Sequence, residues 1–244
     1  MARVSAFSGL VVVGLTLSFA SCQQFFTTSV AKALAQPPAT ITSIDEAGAS
    51  AFLASLSQNP DPTRAASALG ALQALVASNP STAVIKDAAQ VAVIATGLDS
   101  ALTQAVTAVD LNAIIAGTAP TTTQLATIAN IISTAGNNVT PASTAIFTAL
   151  ATSAAAPGGA AALASSGVGA QTLVVAAAAI AINSITTNLP AGQTLSQVLD
   201  GSVAAPAFSA STQANLTNLA TGIQAIDPNN ALLSSLKTTL NITF

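Results

Sequence analysis

The chain has no histidine, no tryptophan and no tyrosine, one cysteine, and only five basic and eight acidic side chains in 244 residues. Each absence excludes a class of chemistry. Without histidine there is no Ser-His-Asp relay and no imidazole ligand, and one cysteine cannot build a multi-thiolate zinc site. Without indole or phenol, tyrosine acids and the flat platforms on which bases stack are missing as well. A net charge of -3 and five scattered basic residues leave no basic patch for a phosphate backbone, so nucleic acid is not an expected partner. No metal or cofactor is expected either. Because Cys22 stands alone, an intramolecular disulfide is excluded, and stability must come from packing.

What is present is aliphatic. Hydrophobic residues make up 51% of the chain and charged ones 5%, so the solvent faces must be built from Ser, Thr, Asn and Gln. Weak charge repulsion favours association, which makes self-association or an envelope protein the expected kind of partner.

The most informative stretch is the first. Arg3 gives a positive start, residues 7–17 form an apolar run, and Phe19-Ala20-Ser21 places small residues before Cys22, which is the secretory pattern. Phe19-Ala20-Ser21-Cys22 resembles a bacterial lipobox. The usual box carries Leu three residues before the cysteine; Phe19 departs from it and is similar to the looser boxes of spirochaetal lipoproteins. The resemblance covers only the start of the chain. It implies that Cys22 is diacylated and becomes the mature N-terminus. The same residues fit ordinary cleavage after Ala20, since Ser18-Phe19-Ala20 is also small-x-small. An uncleaved span is disfavoured, because the apolar run is shorter than the roughly 20 residues that cross a bilayer.

The expected organisation is a lipoprotein-type signal peptide over 1–21, a lipid-anchored tether over 22–42 stopped by Gln36-Pro37-Pro38, and one all-helical domain over 43–244. Ser43-Ile44-Asp45-Glu46 reads as a capping box opening the first helix. Asn59-Pro60-Asp61-Pro62 reads as a connection in which Asp61 caps and Pro62 takes the first helical position. Leu69, Leu72 and Val76, then Val84, Ala88, Val91 and Ala95, then Leu98, Leu102, Val106 and Val109 repeat at helical spacing. Asp110 is placed as a cap for residues 111–116. Leu125, Ile128 and Ile132 continue the pattern, as do Leu216, Leu219, Ile223 and Ile226 and, after Asp227-Pro228, Leu232, Leu233, Leu236 and Leu240.

Residues 111–199 carry no charge, and within them residues 173–182 (LVVAAAAIAI) are apolar on every side. A helix apolar all round must be surrounded. The alanines suit a central bundle helix that neighbours approach closely; the alternatives are a membrane-inserting segment or one wall of a cavity for an apolar ligand. Ala156-Pro157-Gly158-Gly159 and Ser165-Ser166-Gly167 read as flexible connections.

Motifs for catalysis are sparse. Ser29-Val30-Ala31-Lys32 and Ser234-Ser235-Leu236-Lys237 have the SxxK spacing of penicillin-binding enzymes, but the companion SDN and KTG motifs are missing. No glycine-rich loop ends in GlyLysSer or GlyLysThr. Asn138-Val139-Thr140, Asn215-Leu216-Thr217 and Asn241-Ile242-Thr243 match glycosylation sequons, which matter only in a eukaryotic secretory route. Asp45, Glu46, Asp61, Asp110 and Asp227 lie at expected helix starts, where free amides and the dipole favour a carboxylate.

The expectation is therefore an all-α protein, a multi-helix bundle or stacked helical hairpins around an Ala-rich central helix. Its expected function is that of a non-enzymatic envelope lipoprotein, exported and held at a bacterial membrane, periplasmic or on the cell surface, through acyl chains on Cys22. A carrier of an apolar ligand is the alternative, and a Ser/Lys-dependent hydrolase a more distant one. No catalytic, cofactor or metal residue is assigned.

Overall fold

The computed structural model describes residues 40–108 and 121–230, which belong to one compact unit, Thr40–Phe244. Ten helices and no strand occur among the described residues, so the fold is all-α. In chain order they are α1 (Glu46–Gln58), α2 (Pro62–Ser78), α3 (Thr82–Thr96), α4 (Leu98–Thr107) and α5 (Thr122–Gly136). They continue with α6 (Pro141–Ala155), α7 (Gly159–Ser165), α8 (Ala170–Asn188), α9 (Leu195–Leu199) and α10 (Ala210–Ile226).

Short polar side chains start most of these helices, while α7 and α8 begin after glycine with no side-chain cap. Asp61 accepts from the amides of Thr63 (2.9 Å) and Arg64 (3.1 Å), with Pro62 at the first helical position. Ser81 caps α3, Ser209 caps α10, and reciprocal capping boxes join Thr121 to Gln124, Thr140 to Ser143 and Thr194 to Gln197. Each satisfies amides that would otherwise be orphaned at a helix start. The first cap differs from the sequence expectation: Asp45, not Ser43, accepts from Gly48 N at 2.7 Å, and α1 therefore begins at Glu46. Residues 41–45 before it are not helical, and Ile41 N donates to Ser67 O of α2 at 3.1 Å.

Helix α8 is the axis. Its neighbours are α3, α4, α5, α6, α9 and α10, and every residue from 173 to 182 is buried. That is the central packing expected for residues 173–182. Among the described residues α8 is also the one helix long and apolar enough to cross a membrane, with 19 residues and a mean hydropathy of 1.5, but 67% of that window is buried by its neighbours. The bent pair α6 and α7 meets the same length and composition only when taken together, and the two are turned by 114°.

The turn between α6 and α7 replaces an expected flexible connection. Gly158 has φ 73°, and a Cβ on Gly159 would lie 1.9 Å from the Ser153 carbonyl oxygen, so the chain doubles back in a space only glycine can occupy. Gly159 to Ser165 is helical. Past it, Gly167 N bonds Ala164 O (3.0 Å) and Val168 N bonds Leu163 O (2.9 Å), a Schellman closure with Val168 buried behind it. The Ser165-Ser166-Gly167 stretch is thus a hydrogen-bonded helix end.

One contiguous core joins the helices. Phe147 of α6 is its largest fully buried side chain, and Leu69, Leu72, Val76, Val84, Val91, Leu98, Leu102, Ile128, Ile132, Leu216, Leu219 and Ile223 are all buried as their spacing predicts. Close approach matters where α6, α8 and α10 meet: a Cβ on Gly222 would stand 3.1 Å from Leu173 Cδ1 and 3.3 Å from Ala154 Cβ. Helix α1 lies against α2 and α3 through Ala49 and Leu56, with the Arg64 guanidinium 5.3 Å from the Phe52 ring centroid and Asn79 Nδ2 donating to Glu46 Oε2 at 3.1 Å.

Candidate functional site

In a chain with so few charges, the one buried among the described residues is the natural place to look for a site. Asp87 sits on α3, between the apolar positions Val84, Ala88 and Val91, and is 3% exposed. Ser50 of α1 donates its hydroxyl to Asp87 Oδ2 at 2.5 Å, and Lys86 Nζ lies 3.0 Å from Oδ1. Both carboxylate oxygens therefore have a partner, which is the condition for keeping such a group out of water. The trio combines hydroxyl, carboxylate and amine, the residue types of some nucleophilic sites. Its wiring is different. The exposed Ser50 spends its proton on a carboxylate, and the ammonium neutralises that carboxylate from the same helix, so neither group is set to activate the other. What the arrangement does is fasten α1 to α3.

The remaining described acidic residues each have a local task. Asp45 and Asp61 cap α1 and α2, and Glu46 receives Asn79. Asp99, in the first turn of α4, accepts from Gln171 Nε2 at the start of α8 and so ties the axis to the N-terminal helices. Asp200 accepts from Ser202 N at 2.9 Å and from the Ser202 hydroxyl; those two bonds, the hydroxyl first, hold its carboxyl below the usual range. Asp227 ends α10 rather than starting the next helix within the described residues, and accepts from Asn229 N (3.3 Å) and Asn230 Nδ2 (2.9 Å).

Among the described residues no group of three His, Cys, Asp or Glu could hold a metal ion, and no buried side-chain nitrogen or oxygen lacks a hydrogen-bond partner. Cys22, Asp110 and both SxxK triplets lie outside the described residues. Sequence reading missed Asp87 as a buried group. The available signal was its position: Asp87 lies three residues after Val84 and four before Val91, on the apolar stripe itself, where a solvated carboxylate has no place.

On the exposed faces several threonine hydroxyls turn inward. Thr103, Thr127, Thr134, Thr152 and Thr221 each donate to the carbonyl four residues back on their own helix. Their protons are thus used internally, and at these positions the surface presents methyl groups and acceptor oxygens. No family model, no curated protein and no solved structure matches the chain.

Proposed function

We propose that this chain is an exported protein held at a bacterial membrane by acyl chains on Cys22, and that its helical body from Thr40 is a non-enzymatic structural or interaction module. The observation that carries the second half is the use made of the carboxylates. Each described acidic side chain caps a helix, closes a turn or ties two helices together, and the buried one has both oxygens engaged. The first half rests on the leader and on Cys22 falling at the lipobox position.

Energetics favour lipid over protein as the anchor. Each buried methylene contributes about 0.8 kcal/mol, so two acyl chains hold a protein stably where one is marginal. Helix α8, the one described helix of spanning length, is occupied as the core of the body.

Cys22→Ala should abolish incorporation of labelled fatty acid and shift the protein from the membrane to the soluble envelope fraction. A wild-type protein that begins at Ser21 with a free thiol and fractionates as soluble overturns the anchoring. A hydrolase screen that finds turnover lost in Ser50→Ala overturns the non-enzymatic reading and leaves the anchoring untouched.

A further inference from the structure

The connection between α9 and α10 differs from the others. Its beginning is tied down: Gly201 N bonds Val198 O (3.2 Å), Ser202 N bonds Asp200, and Val203 N bonds Gln197 O (3.0 Å). From residue 204 to residue 208 no backbone amide bonds another described residue, and Ala204, Ala205 and Ala207 are exposed. The other described connections are shorter, and that over residues 137–140 and the one after α7 are closed by amide bonds of their own.

A peptidase must draw several successive residues into an extended strand, which helices do not offer and a chain lacking hydrogen bonds does. The positions of the residues recognised by common peptidases sharpen the point. The described basic residues, Arg64 and Lys86, lie inside α2 and α3. Of the described phenylalanines, Phe52 lies in α1, Phe147 is fully buried in α6, and Phe208 lies in this connection. What the connection offers most is small: Ser202-Val203-Ala204-Ala205-Pro206-Ala207.

We propose that residues 202–208 are a processing segment, cut in the folded protein by a peptidase that takes a small aliphatic side chain at the cleaved bond. The bond is Ala204-Ala205, whose two residues are exposed and unbonded; Val203 before it is held by its amide, and the ring nitrogen of Pro206 disfavours the bond after it. Water adds across it, its hydroxyl to the carbonyl carbon and its proton to the leaving nitrogen, giving a new carboxylate and a new amino terminus. The two chains stay together, because Leu195 and Leu199 are buried on one side of the cut and Leu216, Leu219 and Ile223 on the other, with α10 lying against α6, α7 and α8. The proposal does not depend on acylation of Cys22.

The test is limited digestion of the purified full chain with pancreatic elastase, read by intact mass and N-terminal sequencing. The first cut is expected after Ala204, with both fragments co-eluting on gel filtration and separating in denaturant. Replacing both residues of the bond (Ala204→Asp with Ala205→Asp) should slow that cut about tenfold or more while leaving Tm at the parental value. Leu216→Ala, which loosens the core, should leave the elastase rate unchanged. A first cut elsewhere, fragments that separate without denaturant, or an elastase rate that climbs as Leu216→Ala lowers stability would each overturn the proposal; the last would mean that cleavage needs global unfolding.

Discussion

Gly158 and Gly159 stand side by side and are needed for different reasons, so replacing each by alanine separates two physical effects. Gly158 has φ 73° and nothing within 4 Å of where a Cβ would sit. Its alanine variant suffers only the local penalty of a left-handed backbone, about 1–2 kcal/mol. At Gly159 no positive φ is involved. A Cβ there would be 1.9 Å from Ser153 O, 3.1 Å from Ser153 C and 3.3 Å from Ala154 O. All three are backbone atoms of the last turn of α6, with no rotamer to move them aside. Ordinary carbon-oxygen contacts lie near 3.3 Å, so the α6 carbonyl and the start of α7 must separate by roughly 1.4 Å. That separation would disturb the 114° corner and the Gly159 N to Ala156 O bond of 2.7 Å. Losing the turn and loosening Leu163, which is fully buried, places the cost at about 4 kcal/mol or more, the range reserved for backbone conflict or core disruption. In a domain of this size about 1 kcal/mol moves Tm by roughly 2–4 °C, so the two variants should differ by several degrees. Urea titration followed at 222 nm gives the same comparison as a shift in midpoint. If Gly159→Ala melts no lower than Gly158→Ala, the corner is not closed by backbone contact and the account of α6 and α7 is wrong.

Circular dichroism of the folded body should show helix without substantial strand content, which would otherwise refute the all-α fold. Ala178→Asp, at the centre of α8, puts an unpaired charge where the side chain is 1% exposed and should cost several kcal/mol, on the order seen for such burials; a parental Tm would sink the axial role of α8. Asp87→Ala strands Lys86 and the Ser50 hydroxyl, while Ser50→Ala removes one hydrogen bond to a charged group, worth about 1.5–3 kcal/mol. A double-mutant cycle between them should show coupling, and additivity would refute the clamp. Ser202→Ala should raise the Asp200 carboxyl toward its ordinary value in an NMR titration, since the hydroxyl bond is the larger cause of its depression. A depressed carboxyl contributes stability present above its unfolded pKa and lost as pH falls through its folded one, so the variant should show less of that acid-side loss.

Much of this fold is readable from spacing, because apolar residues at a period near 3.6 and caps of Ser, Thr and Asp leave little ambiguity. Val84, Ala88, Val91 and Ala95 mark the buried face of α3, and Asp61-Pro62 marks the start of α2. The failures have particular causes. Ser43 with Glu46 fits a capping box and Asp45 with Gly48 does not, yet Asp45 is the cap; residues 41–45 are not helical, and Ile41 is bonded to Ser67 of α2, a contact no local pattern records. Helices α6 and α7 hide in alanine. Alanine occupies both buried and exposed positions there, so the hydrophobic pattern carries little contrast, and the glycines that bend the chain look like a loop. Asp87 hides for the opposite reason. Its partner Ser50 lies on another helix, and one serine among many gives no signal until the two are brought together. The expectation for Cys22 rests on position alone, and the residue lies outside the described residues.

An alanine-rich core raises a question of specificity that these details answer. Smooth helices of similar diameter can slide or rotate against one another at small cost in buried area, since methyl groups offer few knobs to interlock. A unique arrangement then needs features that fail in any other register. Gly222 is one, because a Cβ at that place on α10 would stand 3.1 Å from Leu173 Cδ1 of α8 and 3.3 Å from Ala154 Cβ of α6, so a slip that brought a larger residue there would press on both helices. The polar ties are others: Ser50 to Asp87 fixes α1 on α3, Asp99 to Gln171 fixes α4 on α8, and Ser184 to Thr212, at 3.5 Å, joins α8 to α10. A one-turn slip of any of these pairs would leave a polar group without its partner, and for Asp87 a buried charge. The scarcity of charge therefore concentrates its structural effect. With only Lys86 and Asp87 forming an ion pair among the described residues, register rests on a handful of polar contacts between helices, and the same scarcity leaves the outer faces to back-bonded threonines that ask little of water or of a neighbour.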